Sequence, residues 1–490
     1  MRARLFLGIA ILILVSPALP AQDQPAGSAA PQRASAARVA ENPEVEAAIA
    51  VLDSWIQATM ASREQPGLSV GIVYDQELIW SKGYGFADVA RRTRATPATA
   101  YRIASISKLF TATAILQLRD AGKLLLDDPV ADHLPWFKIK NAHPDGPVIT
   151  IRHLITHTSG LPRESTGTYW NDLNFPTREE MMEILATQET AIPAETEWKY
   201  SNLALALAGE IVAVVSGEPW DQYVERHILR PLSMRSTRAM PAPDMRILAS
   251  GYTRRVPGEN RVPEPFVDTR GLAPAANLAS TVEDLARFAA LQFRDAAAEG
   301  EQILKGSTLR EMHRIQWLRP DWRSGQGLGF SIRRVGDQVR VGHGGSVPGH
   351  RTQIEIAPAQ KFAVIVLTNA NDGEPLQYVN QAFQLVGPAV AKAAEAPKKA
   401  ATPDPAWDLY VGTYTWKNSD VEIMVLNGEL TMFVPEAENP WESRVTLTPA
   451  GRHTFKMKGG SSSGELLRFE LDDQGRVTRL IAGSYYRLHK

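Results

Sequence analysis

Short β-rich runs open and close the first long segment of this chain, and helical patterns fill the space between them. Residues 68–74 (LSVGIVY) and 77–84 (ELIWSKGY) flank Asp75-Gln76, which predicts a hairpin. Further β runs appear only much later, at 328–333, 339–342, 352–356 and 362–367. A lone hairpin is marginally stable in water, so the early and late strands must join one sheet. Helical periodicity covers 44–61 (Val45, Ala48, Ile49, Leu52, Ile56), 105–121, 150–157, 201–216 and 280–293. Gly122 and Gly217 stand where C-terminal cap glycines belong, and Thr281 with Asp284 three residues on marks a helix start. Hairpin, helices and returning strands predict a mixed α/β (α+β) layer fold.

The pattern changes near residue 389. Residues 389–405 are rich in Pro, Ala and Lys, which predicts a linker. Beyond it, eight short β runs (409–416, 421–426, 429–434, 445–449, 453–457, 466–471, 477–482 and 485–488) alternate with Gly-containing turns. That spacing predicts a small all-β barrel or sandwich over 406–490. The other end is equally distinctive. Arg2 and Arg4 precede an apolar run from Leu5 to Val15, then Ser16-Pro17-Ala18-Leu19-Pro20-Ala21. This reads as a signal peptide over 1–21 and implies a secreted, periplasmic protein. The run is shorter than the ~20 residues a membrane-spanning helix needs, so no stable membrane anchor is expected after cleavage. Residues 22–43 read as a disordered leader, and 44–388 as the main domain.

Composition removes several function classes. The 490 residues contain no cysteine, which excludes disulfides, a catalytic thiol and cysteine-based zinc sites. The formal charge of −1 gives no global field for a nucleic-acid partner.

Three features carry chemistry. Ser105 and Lys108 lie one turn apart on one helix face. The helix start favours charge developing on the hydroxyl, and burial pushes the lysine toward its neutral, proton-accepting form. Tyr200-Ser201-Asn202 precedes a helix. A tyrosine there, near a cation, is expected to have a lowered pKa and to serve as a base, while Asn202 can donate and accept at a substrate amide. His343-Gly344-Gly345-Ser346 ends a predicted strand. Its glycines admit a close ligand, and the Ser346 N–H can bind an oxyanion.

In this order, the three features resemble the serine β-lactamase and penicillin-binding-protein superfamily. The likeness is strongest to the class C β-lactamase-related serine hydrolases, a group of D-aminopeptidases, D-alanyl-D-alanine carboxypeptidases and esterases. It extends over roughly 45–390 through YRIASISK (101–108), LLLDDPV (124–130), TIRHLITHTSGLP (150–162), Tyr200-Ser201-Asn202 and Gly342–Gly345. The resemblance implies a β-lactamase/transpeptidase-like fold: an antiparallel sheet with helices on both sides plus an all-helical region. The tail resembles lipocalin-like appendages. It further implies an acyl-enzyme on Ser105. Lys108 and Tyr200 share the proton transfers, the N–H groups of Ser105 and Ser346 form the oxyanion hole, and Asn202 and His343 orient the substrate. The family's third motif is Lys-Thr-Gly or His/Trp-x-Gly, and this chain has His343-Gly344-Gly345 in place of the lysine form. A neutral imidazole supplies little charge to a carboxylate, so short esters and D-amino-acid or peptidoglycan-derived peptides are expected ahead of β-lactams. A β-lactamase proper and a catalytically silent peptide-binding protein on the same fold are the alternatives. No cofactor or metal is expected. The expected partner is a small-molecule or short-peptide substrate, and the sequence carries no signal for oligomeric state.

Other candidates read as structural. His153 and His157 are four apart, but Leu154 stands where a metalloprotease helix has its Glu, so both are expected to pack or anchor loops. Ser159 reads as turn chemistry, and Gly325, Gly327 and Gly329 as a loop entering a strand. Trp407, Tyr410, Tyr414, Trp416, Tyr485 and Tyr486 are expected in a barrel core.

Overall fold

The computed structural model describes residues 35–294, 302–395 and 404–490, apart from 417–418, 427, 435–443, 484 and 490. The signal peptide over 1–21 and the leader as far as residue 34 lie outside the described residues. Two compact units divide at residues 395 and 396.

Among the described residues of the first unit there are eleven strands: β1 (Gly67–Tyr74), β2 (Glu77–Asp88), β3 (Thr93–Arg94), β4 (Tyr101–Arg102), β5 (Ala279–Ser280), β6 (Trp317–Leu318), β7 (Ser324–Gln326), β8 (Ser331–Val335), β9 (Gln338–Val347), β10 (His350–Ala357) and β11 (Phe362–Thr368). Nine form one antiparallel sheet in the order β3-β2-β1-β11-β10-β9-β8-β7-β6, and β4 pairs with β5 apart from it. The early hairpin and the late strands do meet: Val70 pairs with Val366. β1 and β11 are buried along their whole lengths, because helices cover both faces of the sheet's centre.

One face packs on the larger core, around the helices Ser107–Asp120, Asn202–Ser216 and Val282–Leu291. Thr281 caps the last of these by accepting from the Asp284 N–H, as its spacing predicts. The other face packs on the helices Pro43–Arg63 and Pro375–Ala394. Asn42 caps the first of that pair, Pro43 fills its first turn, and Val45, Leu52, Ile56 and Met60 form its buried stripe.

Two boundaries differ from the sequence expectation. Residues 35–43, assigned to a disordered leader, include a helix at Ala36–Ala40 whose Ala36 and Val39 are buried in the second core. The stretch assigned to a linker from residue 389 continues the Pro375–Ala394 helix. Pro388 stands on an exposed position of that helix, while Val386 and Val390 are buried against the sheet. Burial on either side of the proline outweighs one lost backbone hydrogen bond. Gly325 also lies in a short strand, β7, rather than in a loop.

The second unit is a closed eight-stranded barrel running from Gly412 to His489, sealed where Tyr414 pairs with His489. Tyr410 and Tyr414 are buried in its core, Tyr410 stacked on Phe469 at 4.5 Å. Trp407 packs at the edge of that core, and the side chains of Trp416, Tyr485 and Tyr486 lie outside the described residues.

Candidate active site

Ser105 sits in a 3₁₀ turn, Ala104–Ile106, that leads into the helix Ser107–Asp120. Ala104 carries φ +48°, a left-handed backbone that a non-glycine residue adopts only when its surroundings impose it. The turn is held by the Thr352 hydroxyl, which donates to the Ile103 carbonyl at 3.1 Å, and by the Leu278 N–H, which donates to the Ser107 hydroxyl at 3.0 Å.

Lys108 is fully buried beneath the serine. Its Nζ lies 3.0 Å from Ser105 Oγ, 2.7 Å from Asn202 Oδ1 and 2.8 Å from the Ala275 carbonyl oxygen. Burial drives its pKa well below the ordinary lysine value; Glu164 opposes that shift and Arg163 reinforces it. A neutral amine has two N–H bonds and one lone pair. Both N–H bonds are taken by the two carbonyl oxygens, which can only accept. The lone pair is left facing the Ser105 hydroxyl.

Tyr200 approaches the same oxygen from the other side, its O–H donating to Ser105 Oγ at 2.8 Å. The expected lowering of its pKa is corrected. Burial pushes the phenol up to about 12, and the hydrogen bond to Ser105 and the nearby Arg163 only partly offset this. Burial also drives the cation expected to stabilise a phenolate toward its neutral form, so Tyr200 stands as a hydrogen-bond donor. Its ring packs against His157, with centroids 4.5 Å apart, and lies under the Arg163 guanidinium at 4.9 Å.

His343 is also corrected. It is 7% exposed, its ring centroid lies 6.2 Å from that of Tyr200, and its Nδ1 faces the Gly344 carbonyl at 2.6 Å. Burial lowers its pKa to about 4. It sits on the core-facing side of β9 and is not among the residues lining the cleft. Gly344, Gly345 and Ser346 do line it, together with Ser105, Tyr200 and Asn202, in a cavity of about 1670 Å³. β8 pairs with β9 only from Gln338 to Gly342, whereas β10 pairs with it through to Val347. The Gly344–Val347 stretch therefore presents one unpaired backbone edge to the cavity.

Sequence reasoning missed two residues here. Glu164 accepts from Asn202 Nδ2 at 2.6 Å, and Arg163 stacks on Tyr200. Neither belongs to a motif; both follow the Gly160-Leu161-Pro162 turn. The remaining candidates are structural, as expected. His153 closes a capping box with Thr150 and pairs with Glu195, His157 accepts from the Ser201 N–H, and Ser159 accepts from Leu161 N–H in a turn.

The sequence matches the Beta-lactamase family profile over residues 52–387. The chain belongs to that family. Among curated relatives it is similar to protein flp of Staphylococcus aureus (strain MW2), at 30% identity over 334 residues, 65% of this chain and 63% of that protein. The chain thus matches less than two thirds of the length of this relative. Beta-lactamase-like protein 2 of Dictyostelium discoideum is 27% identical over 422 residues, covering 80% of this chain and 75% of that one. Among solved structures, the octameric penicillin-binding protein homologue from Pyrococcus abyssi superposes with a TM-score of 0.62. It is 26% identical, and the match covers 90% of this chain and 100% of that one.

Proposed function

We propose that this member of the beta-lactamase family is a secreted serine hydrolase that cleaves ester or amide bonds through an acyl-enzyme on Ser105. The observation that carries this reading is the placement of Ser105 Oγ between the buried Lys108 amine, 3.0 Å away, and the Tyr200 hydroxyl, 2.8 Å away. The Lys108 lone pair takes the serine proton as Oγ attacks the carbonyl. The Ser105 and Ser346 N–H groups receive the oxyanion. The ammonium then returns its proton, by way of the Tyr200 hydroxyl, to the leaving group. Water releases the acyl group by the reverse sequence, with Lys108 again as base.

The cavity is larger than the ~300–1,000 Å³ usual for small ligands. Its open β9 edge can pair with an extended backbone. Both features favour short peptides, including D-amino-acid and peptidoglycan-derived ones, with small esters as minimal substrates. The test is covalent labelling by a fluorophosphonate, followed by a panel of neutral esters, D-peptides and β-lactams. Ser105→Ala should lose labelling and lower turnover by ~10³ or more. Turnover within about tenfold of the native protein would overturn the assignment.

A further inference from the structure

The side-chain amide of Asn202 faces two partners of opposite demand. Its oxygen lies 2.7 Å from Lys108 Nζ, and its nitrogen lies 2.6 Å from Glu164 Oε1. Amide oxygen and nitrogen are nearly equal in shape, so packing alone does not choose between the two orientations. A carboxylate does choose, because it can only accept. Turning the amide over would set its oxygen against the carboxylate and its NH₂ against the amine. The amine would then accept from Asn202 with the lone pair it otherwise aims at Ser105.

Glu164 is itself held in place. The Tyr169 hydroxyl donates to its Oε2 at 3.1 Å, Arg163 Nε lies 3.4 Å from its Oε1, and its side chain is 18% exposed. The backbones are tied as well, since the Asn202 N–H donates to the Arg163 carbonyl at 2.8 Å.

Resting on the serine-hydrolase reading, we propose that Glu164 is a positioning residue for acyl transfer. It fixes the Asn202 amide so that Lys108 spends its N–H bonds on Asn202 and Ala275 and keeps its lone pair for Ser105. The charged and titratable groups around Lys108 are Arg163, Glu164, Tyr200, His157 and His343. The two histidines are held neutral by burial, and Glu164 supplies the negative charge that favours the ammonium.

The test compares Glu164→Gln and Glu164→Asp with the native protein, reading the fluorophosphonate labelling rate against pH. Glutamine can present either an oxygen or an NH₂ to Asn202. E164Q should therefore label about tenfold more slowly, the difference between a charge-assisted and a neutral hydrogen bond. Its acid limb should move to lower pH, because a negative charge has gone. E164D keeps the charge with a shorter reach, so its rate should fall less and its limb should stay in place. The rate loss should vanish in an Asn202→Ala background, since Glu164 positions that amide, whereas the limb shift, a direct effect of the Glu164 charge on Lys108, should persist there.

An E164Q rate within twofold of native with an unmoved limb overturns the proposal, as does an equal loss in the N202A background. If E164Q does not fold, E164D decides: labelling at the native rate overturns the proposal. Failure of the native protein itself to label on Ser105 overturns the serine-hydrolase reading and this proposal with it. Native labelling with unaffected Glu164 variants overturns the proposal alone.

Discussion

The carbonyl oxygen of Ile103 occupies the space that a side chain on Gly345 would need. This contact joins the nucleophile's turn to β9, and the Thr352 hydroxyl secures it by donating to the same oxygen at 3.1 Å. A methyl group at Gly345 would overlap both groups. Gly345→Ala should therefore destabilise the protein by ~1–3 kcal/mol, the usual cost of overpacking. Ser105 would shift with the turn, and a misplacement of about 1 Å costs acyl transfer ~10²-fold. Thermal unfolding and labelling rate, measured together, check this. An unchanged labelling rate would show that the contact does not position Ser105.

Replacing Lys108 with Met keeps the bulk and removes the base. Labelling should fall by ~10²–10⁴, the range for general-base catalysis. The native rate should fall on acidification as the amine takes up a proton. Because burial lowers the Lys108 pKa, that limb should lie well below the ordinary lysine range. A limb near 10.5, the ordinary value, would show the amine to be solvated.

Burial lowers the His343 pKa to about 4, so its imidazole is neutral across pH 5.5 to 8. The preference for an anionic over a matched neutral substrate should therefore be flat between pH 5.5 and 8. This reverses the expectation from the motif alone, in which a solvated imidazole would charge near ~6.5. The buried imidazole also acts on stability. The unfolded chain protonates this residue near 6.5, the folded chain only near 4, so acidification through that window favours unfolding. His313, lowered to about 4, adds in the same direction. The melting temperature should drop between pH 6.5 and 4, and His343→Gln should reduce that slope. A slope unchanged in H343Q would place its cause elsewhere.

Truncation after Glu395 should leave a folded unit that still labels on Ser105. Its sheet, both cores and all the lining residues of the cleft lie before that point. A cut at residue 388 instead removes the buried Val390 from the second core and should cost ~1–3 kcal/mol. Labelling rate and melting temperature of the two truncations distinguish the boundaries; equal stability would make the last helical turns dispensable.

Local pattern alone determined much of this protein. Period-2 and period-3.6 spacing placed the early hairpin, the Asn202–Ser216 helix with Gly217 at its end, and the barrel strands Leu466–Leu471 and Val477–Ala482. The three-residue spacing of Ser105 and Lys108 put them on one helix turn, a relation fixed within a few residues of chain. Tertiary structure decided everything that depends on desolvation or on contacts between distant segments. Lys108 reaches Asn202 across 94 residues, and Tyr200 reaches Ser105 across 95. Burial, which no motif encodes, drives Lys108 toward its neutral form, raises the Tyr200 pKa and keeps His343 out of the cleft lining. Glu164 had no sequence signal because its partner is an amide 38 residues away. The charge state of a group depends on how much water and which neighbours surround it, and only the folded chain sets both.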